Sequence, residues 1–276
     1  MKTRILSAMG GLVVLAIAVL LFDTVFFNAI IGAIVLLAIF EVCRAVKLKQ
    51  HLGLYLWCGL FGLFVVFYEY LPLGGFLPFL AGLFCFTVGV LSFTVFHFQD
   101  VPYANVAMLY LETMAILFGF GSAVYMRTAF GPDALFLLFV ALGSAWLTDS
   151  GAYFCGRLFG KHKMSPHVSP NKTVEGAVGG VVVCALLMAG IAALYTHFND
   201  GVSSINHLYL ALTVAVASLL GMMGDLVASS LKRQMQIKDY GNIMPGHGGA
   251  MDRFDSVLFT APTVLFMASF LPIIAR

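Results

Sequence analysis

The chain has 276 residues, 61% of them hydrophobic and only 10% charged, with a formal net charge of +2 and a mean hydropathy of +0.98. Soluble domains are nearer half apolar and a quarter charged, so a soluble globular protein is excluded. A net charge this small argues for no nucleic-acid partner. The five cysteines (Cys43, Cys58, Cys85, Cys155 and Cys184) are scattered through apolar runs without a CxxC or metal spacing, and read as small buried hydrophobes.

From the N-terminus, Met1-Lys2-Thr3-Arg4 leads into an apolar run with no small-residue cleavage site before Phe22-Asp23, so an uncleaved first helix is expected. Apolar segments then recur near 5–21, 24–42, 53–71, 75–96, 104–126, 133–154, 175–195, 207–230 and 256–274. The predicted fold class is all-α: a polytopic integral membrane protein with about nine transmembrane helices and a polar cavity facing the cytoplasm. One integral domain covers 1–276. Within it, 1–130 is mainly membrane-spanning, and 131–276 carries the functional loops and helices.

Basic residues set the orientation. With the N-terminus in the cytoplasm, that side carries Lys2, Arg4, Arg44, Lys47, Lys49, Arg157, Lys161, Lys163, Lys172, Lys232, Arg233, Lys238 and Arg253. The other side carries only Arg127 and Arg276. The two long polar connections, 155–174 and 231–255, both fall on the cytoplasmic side, so the chemistry is expected there.

Glu112, Asp149 and Asp225 interrupt apolar segments. Charges at such depth are costly and usually face a bundle interior or a wet cavity. At a helical rise of about 1.5 Å per residue, Asp225 lies roughly 10 Å inside Lys232, Asp149 roughly 12 Å inside Arg157 and Glu112 roughly 13 Å from Tyr103. Their similar depth predicts one shared cavity; the alternative is three acids hydrogen-bonded separately between helices. Asp252 and Asp255, spaced i and i+3, would share a helical face. They are read with Asp225 as metal ligands, against the plainer reading that they cap a helix N-terminus.

Between Ser229 and Asp255 the chain packs four basic residues, a histidine and several glycines between two apolar segments. Lys232, Arg233, Lys238 and Arg253 suit phosphate oxygens, although part of this signal is the positive-inside bias. Pro245-Gly246-His247-Gly248-Gly249 is a low-steric turn whose backbone N–H groups can approach an anion. In the other connection, Ser169-Pro170-Asn171-Lys172-Thr173 precedes Glu175-Gly176 and a helix start, a place suited to phosphate or ribose. Gly156 to Lys161 has the wrong spacing for a P-loop. His162 and His167 lack a zinc-site pattern. Gly176 and Gly180 form a G-x-x-x-G that reads as helix packing.

These residues resemble the signature of the phosphatidate cytidylyltransferases (CDP-diacylglycerol synthases). Ser229, Lys232, Arg233, Lys238, Asp239, Gly241, His247, Gly248, Gly249, Asp252, Arg253 and Asp255 match its S-x-aliphatic-K-R…K-D…H-G-G-x-x-D-R-x-D pattern. Met244 and Ala250 stand where other aliphatic residues are expected. Asp149, Tyr153 and Arg157, followed by Ser169, Pro170, Asn171, Lys172, Thr173 and Glu175, resemble the family's second region. The resemblance implies that CTP and phosphatidic acid give CDP-diacylglycerol and pyrophosphate. It further implies Mg²⁺ with the option of a second cation, membrane-lipid contacts, a homodimer and a bacterial inner-membrane location. Under it, Asp225, Lys232, Arg233, Lys238, His247, Asp252 and Arg253 take part in the reaction, with Asp225, Asp252 and Asp255 on the metal. Asp149, Tyr153, Arg157, Ser169 to Thr173, Glu175, Ser229, Gly248 and Gly249 bind substrate. A CTP-dependent polyprenol or phytol kinase is the near alternative. An ion-coupled transporter using the intramembrane acids is the distant one, and it leaves the signature without a purpose.

Overall fold

The computed structural model of the chain describes residues 2–199, 204–243 and 248–275. A helix falls within each apolar segment, because in hydrocarbon every backbone N–H and C=O needs a partner inside its own segment. The helices are α1 (Lys2–Leu20), α2 (Val25–Ala45), α3 (Leu52–Val66), α4 (Phe76–Phe96), α5 (Tyr103–Phe130), α6 (Ala134–Phe159), α7 (Val174–Phe198) and α8 (His207–Gln234). A single-turn α9 (Met251–Phe254) and then α10 (Val257–Phe270) follow. Among the described residues, five helical stretches are long and apolar enough to cross a bilayer: α2, α4, Tyr103–Phe159, α7 and α8. The chain is an integral membrane protein.

The helical fold agrees with the all-α expectation and carries, in addition, two short strand pairs. Strand β1 (Lys163–Ser165) pairs antiparallel with β2 (Ser169–Thr173), and β3 (Ser204–Ile205) pairs antiparallel with β4 (Ile274–Ala275). The first hairpin fills the 155–174 connection, where Pro166 and Pro170 are incompatible with a continuous helix. In addition, α6 runs on to Phe159, so Arg157 sits on the same helix as Tyr153 rather than in the connection.

The chain forms two compact units, one of residues 1–124 with 234–253, the other of 125–233 with 254–276. In the first, α2 packs on α1 and α3, and α3 on α4. A polar pin fixes α2: the buried Asn28 Nδ2 donates to the Val66 carbonyl at 2.7 Å and to Glu69 Oε1 at 2.9 Å. Stacked Phe61 and Phe86 rings, 4.4 Å apart, join α3 to α4. Cys43, Cys58 and Cys184 are buried as expected, whereas Cys85 is exposed and Cys155 half-buried.

In the second unit, α7 and α10 both pack on α6. The α6–α7 contact is close because small residues face each other. A Cβ added at Gly180 would sit 2.6 Å from the Thr148 carbonyl oxygen, and one at Gly151 would sit 3.1 Å from Gly180 Cα. The G-x-x-x-G of the sequence thus serves helix packing. Buried Thr148 and Ser218 hydroxyls, 2.7 Å apart, tie α6 to α8.

Candidate active site

The polar centre of the second unit is built around Asp225 on α8. One turn later on the same helix, Ser229 donates from Oγ to Asp225 Oδ1 at 3.2 Å. The other oxygen, Oδ2, pairs with Lys172 Nζ from β2. Both partners are about three-quarters buried (23% and 24% exposed), so water screens this pair less than a surface one. Asp149 on α6 accepts from Ser256 Oγ at 3.4 Å, and Asp255 Oδ1 accepts from the Ser256 N–H at 2.8 Å. Asp255 lies within electrostatic reach of Asp225, Lys232 and Asp149. Burial, and then the Asp225 carboxylate, push its carboxyl up to about 7. The acid that joins Asp149 and Asp225 in this unit is therefore Asp255, while Glu112 is buried on α5 in the first unit.

The β1–β2 hairpin reaches this centre for local reasons. Thr173 ends β2 and caps α7, its Oγ1 accepting from the Gly176 N–H at 3.1 Å. Glu175, in the first turn of α7, accepts from the backbone N–H groups of Lys161 (3.0 Å) and His162 (3.1 Å) and contacts His162 Nδ1 at 2.5 Å. The entry to the hairpin is thereby fixed, and Lys172 is directed to Asp225. Arg233, at the end of α8, donates from Nε to the Val168 carbonyl at 3.3 Å. Exposed Tyr153 and Arg157 lie one turn apart on α6 and touch at 3.2 Å. In β2, Ser169 is half-buried and Pro170 and Asn171 are exposed. Replacing Thr173 by Ala is expected to cost about 1 kcal/mol, because the helix loses its capping acceptor. Thermal unfolding in detergent reads that loss.

The remainder of the signature belongs to the first unit. Lys238 and Arg253 are exposed. Asp252 Oδ2 accepts from the N–H groups of Tyr240 (2.8 Å) and Gly249 (3.0 Å), closing the ends of the intervening loop on each other. Gly248 has φ of +86°, a conformation few other residues adopt readily. His247, with Met244 to Gly246, lies outside the described residues. The expectation that Asp252 and Asp255 share a helical face is corrected: α9 ends at Phe254, and Asp255 lies in the turn before α10.

Glu41, which no sequence motif marks, and Arg44, counted above only for orientation, organise this loop. Glu41, on α2 and 1% exposed, accepts from the N–H groups of Ala250 (3.1 Å) and Met251 (2.9 Å). Arg44, one turn further, donates to the Tyr240 carbonyl. A Cβ at Gly241 or Gly249 would overlap the Glu41 carboxylate, so the glycines here permit a close approach. The N–H groups of Gly249, Ala250 and Met251 thus donate to the protein's own carboxylates. An acid inside the apolar segment 24–42 was the available signal, the same one that marks Glu112.

Among the described residues, no three His, Cys, Asp or Glu side chains are grouped so as to hold a metal by themselves. Mg²⁺ ordinarily takes one or two carboxylates and completes its shell with water and substrate phosphate. The hard oxygen donors of Asp225 and Asp255 suit that ion, and the Lys172 ammonium already places one positive charge against Asp225.

Comparison with known proteins places the chain among its relatives. The model of the cytidylyltransferase family matches residues 2–271. A phosphatidate cytidylyltransferase of Bacillus subtilis is 37% identical over 97% of both chains. One of Staphylococcus haemolyticus is 40% identical over 63% of this chain and 61% of its own length. Another, of Staphylococcus saprophyticus, is 40% identical over 63% of each. With the family model spanning nearly every residue, the chain belongs to the cytidylyltransferase family.

Proposed function

We propose that the protein transfers the cytidylyl group of CTP to phosphatidic acid, forming CDP-diacylglycerol and pyrophosphate for phospholipid synthesis. The near full-length similarity to a phosphatidate cytidylyltransferase carries this reading. The clustered Asp149, Asp225, Asp255, Lys172 and Lys232 support it with suitable chemistry.

A phosphatidate oxygen attacks the α-phosphorus of CTP. The bond from that phosphorus to the bridging oxygen breaks, and pyrophosphate leaves with the electron pair. The attacking phosphate is ionised near neutral pH, so the burden falls on positioning and charge neutralisation rather than on a strong base. Asp225 and Asp255, with Asp252 as a third candidate, would hold Mg²⁺. When bound, the ion would neutralise phosphate charge. Lys172, Lys232, Arg233, Lys238 and Arg253 bind the triphosphate or the lipid phosphate. Ser229 orients Asp225. Ser169, Asn171 and Thr173 seat the nucleotide, and His247 donates to a phosphate oxygen. The finer topology belongs to the same proposal: nine spanning helices in the inner membrane, the site facing the cytoplasm, acyl chains remaining in the bilayer, and a homodimer.

The test uses purified protein in detergent with labelled CTP, phosphatidate and Mg²⁺, with and without EDTA. EDTA-sensitive formation of labelled CDP-lipid with stoichiometric pyrophosphate is the expected result. Release of CDP with a phosphorylated lipid alcohol would show a kinase instead.

A further inference from the structure

We propose that Glu41, assisted by Arg44, is a positioning residue for this reaction: α2 presents a buried carboxylate that fixes the backbone of Ala250 and Met251, just before Asp252 and Arg253. The inference rests on the cytidylyltransferase reading for its activity readout, and on the first unit alone for its geometry.

Three fastenings hold the described parts of this connection, 240–243 and 248–253. Asp252 joins Tyr240 to Gly249 through their N–H groups. Glu41 takes the next two N–H groups, those of Ala250 and Met251. Arg44 holds the Tyr240 carbonyl from the same helix. Tyr240 itself is 1% exposed, so the loop is also anchored by burial. Gly241 and Gly249 leave room for the carboxylate and for nothing larger than hydrogen at those positions.

A carboxylate is the group that meets these demands. The two adjacent buried N–H donors take one carboxylate oxygen each, and an orphaned buried donor carries its full desolvation cost. Glutamine supplies one acceptor and turns an NH₂ group toward the second donor. The loop is bordered by Lys238 and Arg253, both assigned above to phosphate. Release of Ala250 and Met251 from α2 would displace Arg253, which follows them closely in the chain, and turnover would suffer more than folding. α2 keeps its own attachment through Asn28 and through packing on α3, away from the loop.

The experiment compares full-length wild type, Glu41→Gln, Glu41→Asp and Arg44→Gln, purified in detergent. Steady-state kinetics with CTP and phosphatidate are run beside hydrogen–deuterium exchange of the peptide covering 240–253. Glu41→Gln is expected to lose about 10- to 100-fold in kcat, as outer positioning groups typically do. Its KM for CTP should stay within about threefold, because a mispositioned group acts mainly on turnover. Its loop peptide should exchange faster, and Glu41→Asp, which keeps two acceptor oxygens, should recover part of kcat. A Glu41→Gln enzyme with kcat within about twofold of wild type, or a loss confined to KM, would overturn the proposal. Should the Glu41 variants fail to fold, Arg44→Gln, altered at an exposed side chain, carries the test: an unchanged kcat refutes it. A wild type that makes no CDP-lipid would sink the activity reading. Loop exchange in Glu41→Gln would then decide the anchoring separately.

Discussion

Replacing Asp225 by Asn is expected to reduce CDP-diacylglycerol formation by on the order of 10²–10³-fold, because the ion that would neutralise phosphate charge loses a carboxylate ligand. The substitution is nearly isosteric but removes the charge that faces Lys172 and that receives the Ser229 hydroxyl. The Asn amide keeps one oxygen for a single partner, so the Lys172 ammonium loses its counter-charge in a site where water compensates poorly. Yield, monodispersity in detergent and thermal unfolding are measured alongside turnover. A folded variant with near-normal activity would remove Asp225 from the proposed machinery. A variant that folds and is inactive at all Mg²⁺ concentrations supports its role there.

The largest expected effect on folding lies at Gly180. Valine at this position would drive its Cβ to 2.6 Å from the Thr148 carbonyl oxygen and 3.0 Å from Ala152. Both contacts include backbone of α6, which cannot rotate away as a side-chain tip can. Overpacking of this kind typically costs about 1–3 kcal/mol, and backbone contact puts Gly180→Val at the upper end. Gly190→Val on the same helix is the control, since nothing lies within 4 Å of a Cβ there. It should change stability by only about 0.5 kcal/mol. Equal effects at the two positions in thermal unfolding would contradict the α6–α7 packing.

Hydropathy located the helices because their backbone polar groups have no partner but their own segment. Asp149, Asp225 and Lys172 were legible for a related reason: charge within or beside apolar sequence is expensive and marks a purpose. Periodicity could not show that α9 stops at Phe254, since this end is set by a break between two helical pieces rather than by spacing. For that reason the i, i+3 relation of Asp252 and Asp255 misled, and Asp252 instead staples Tyr240 to Gly249. The hairpin at 163–173 is set by Glu175 reaching back more than ten residues to the N–H groups of Lys161 and His162. The partnership of Glu41 with Ala250 and Met251 spans over two hundred residues, a distance at which no local pattern informs.

That long-range partnership bears on how the gene can be divided. Residues 234–253 are encoded late yet complete the unit built by residues 1–124. A ribosome that has released the first five helices has therefore made a unit whose Glu41 still awaits its backbone donors. Expressed alone, the first half should be short-lived in the cell, a substrate for membrane proteolysis. Supplied as two separate polypeptides cut near residue 130, the halves should protect each other, because the second carries the piece that the first lacks.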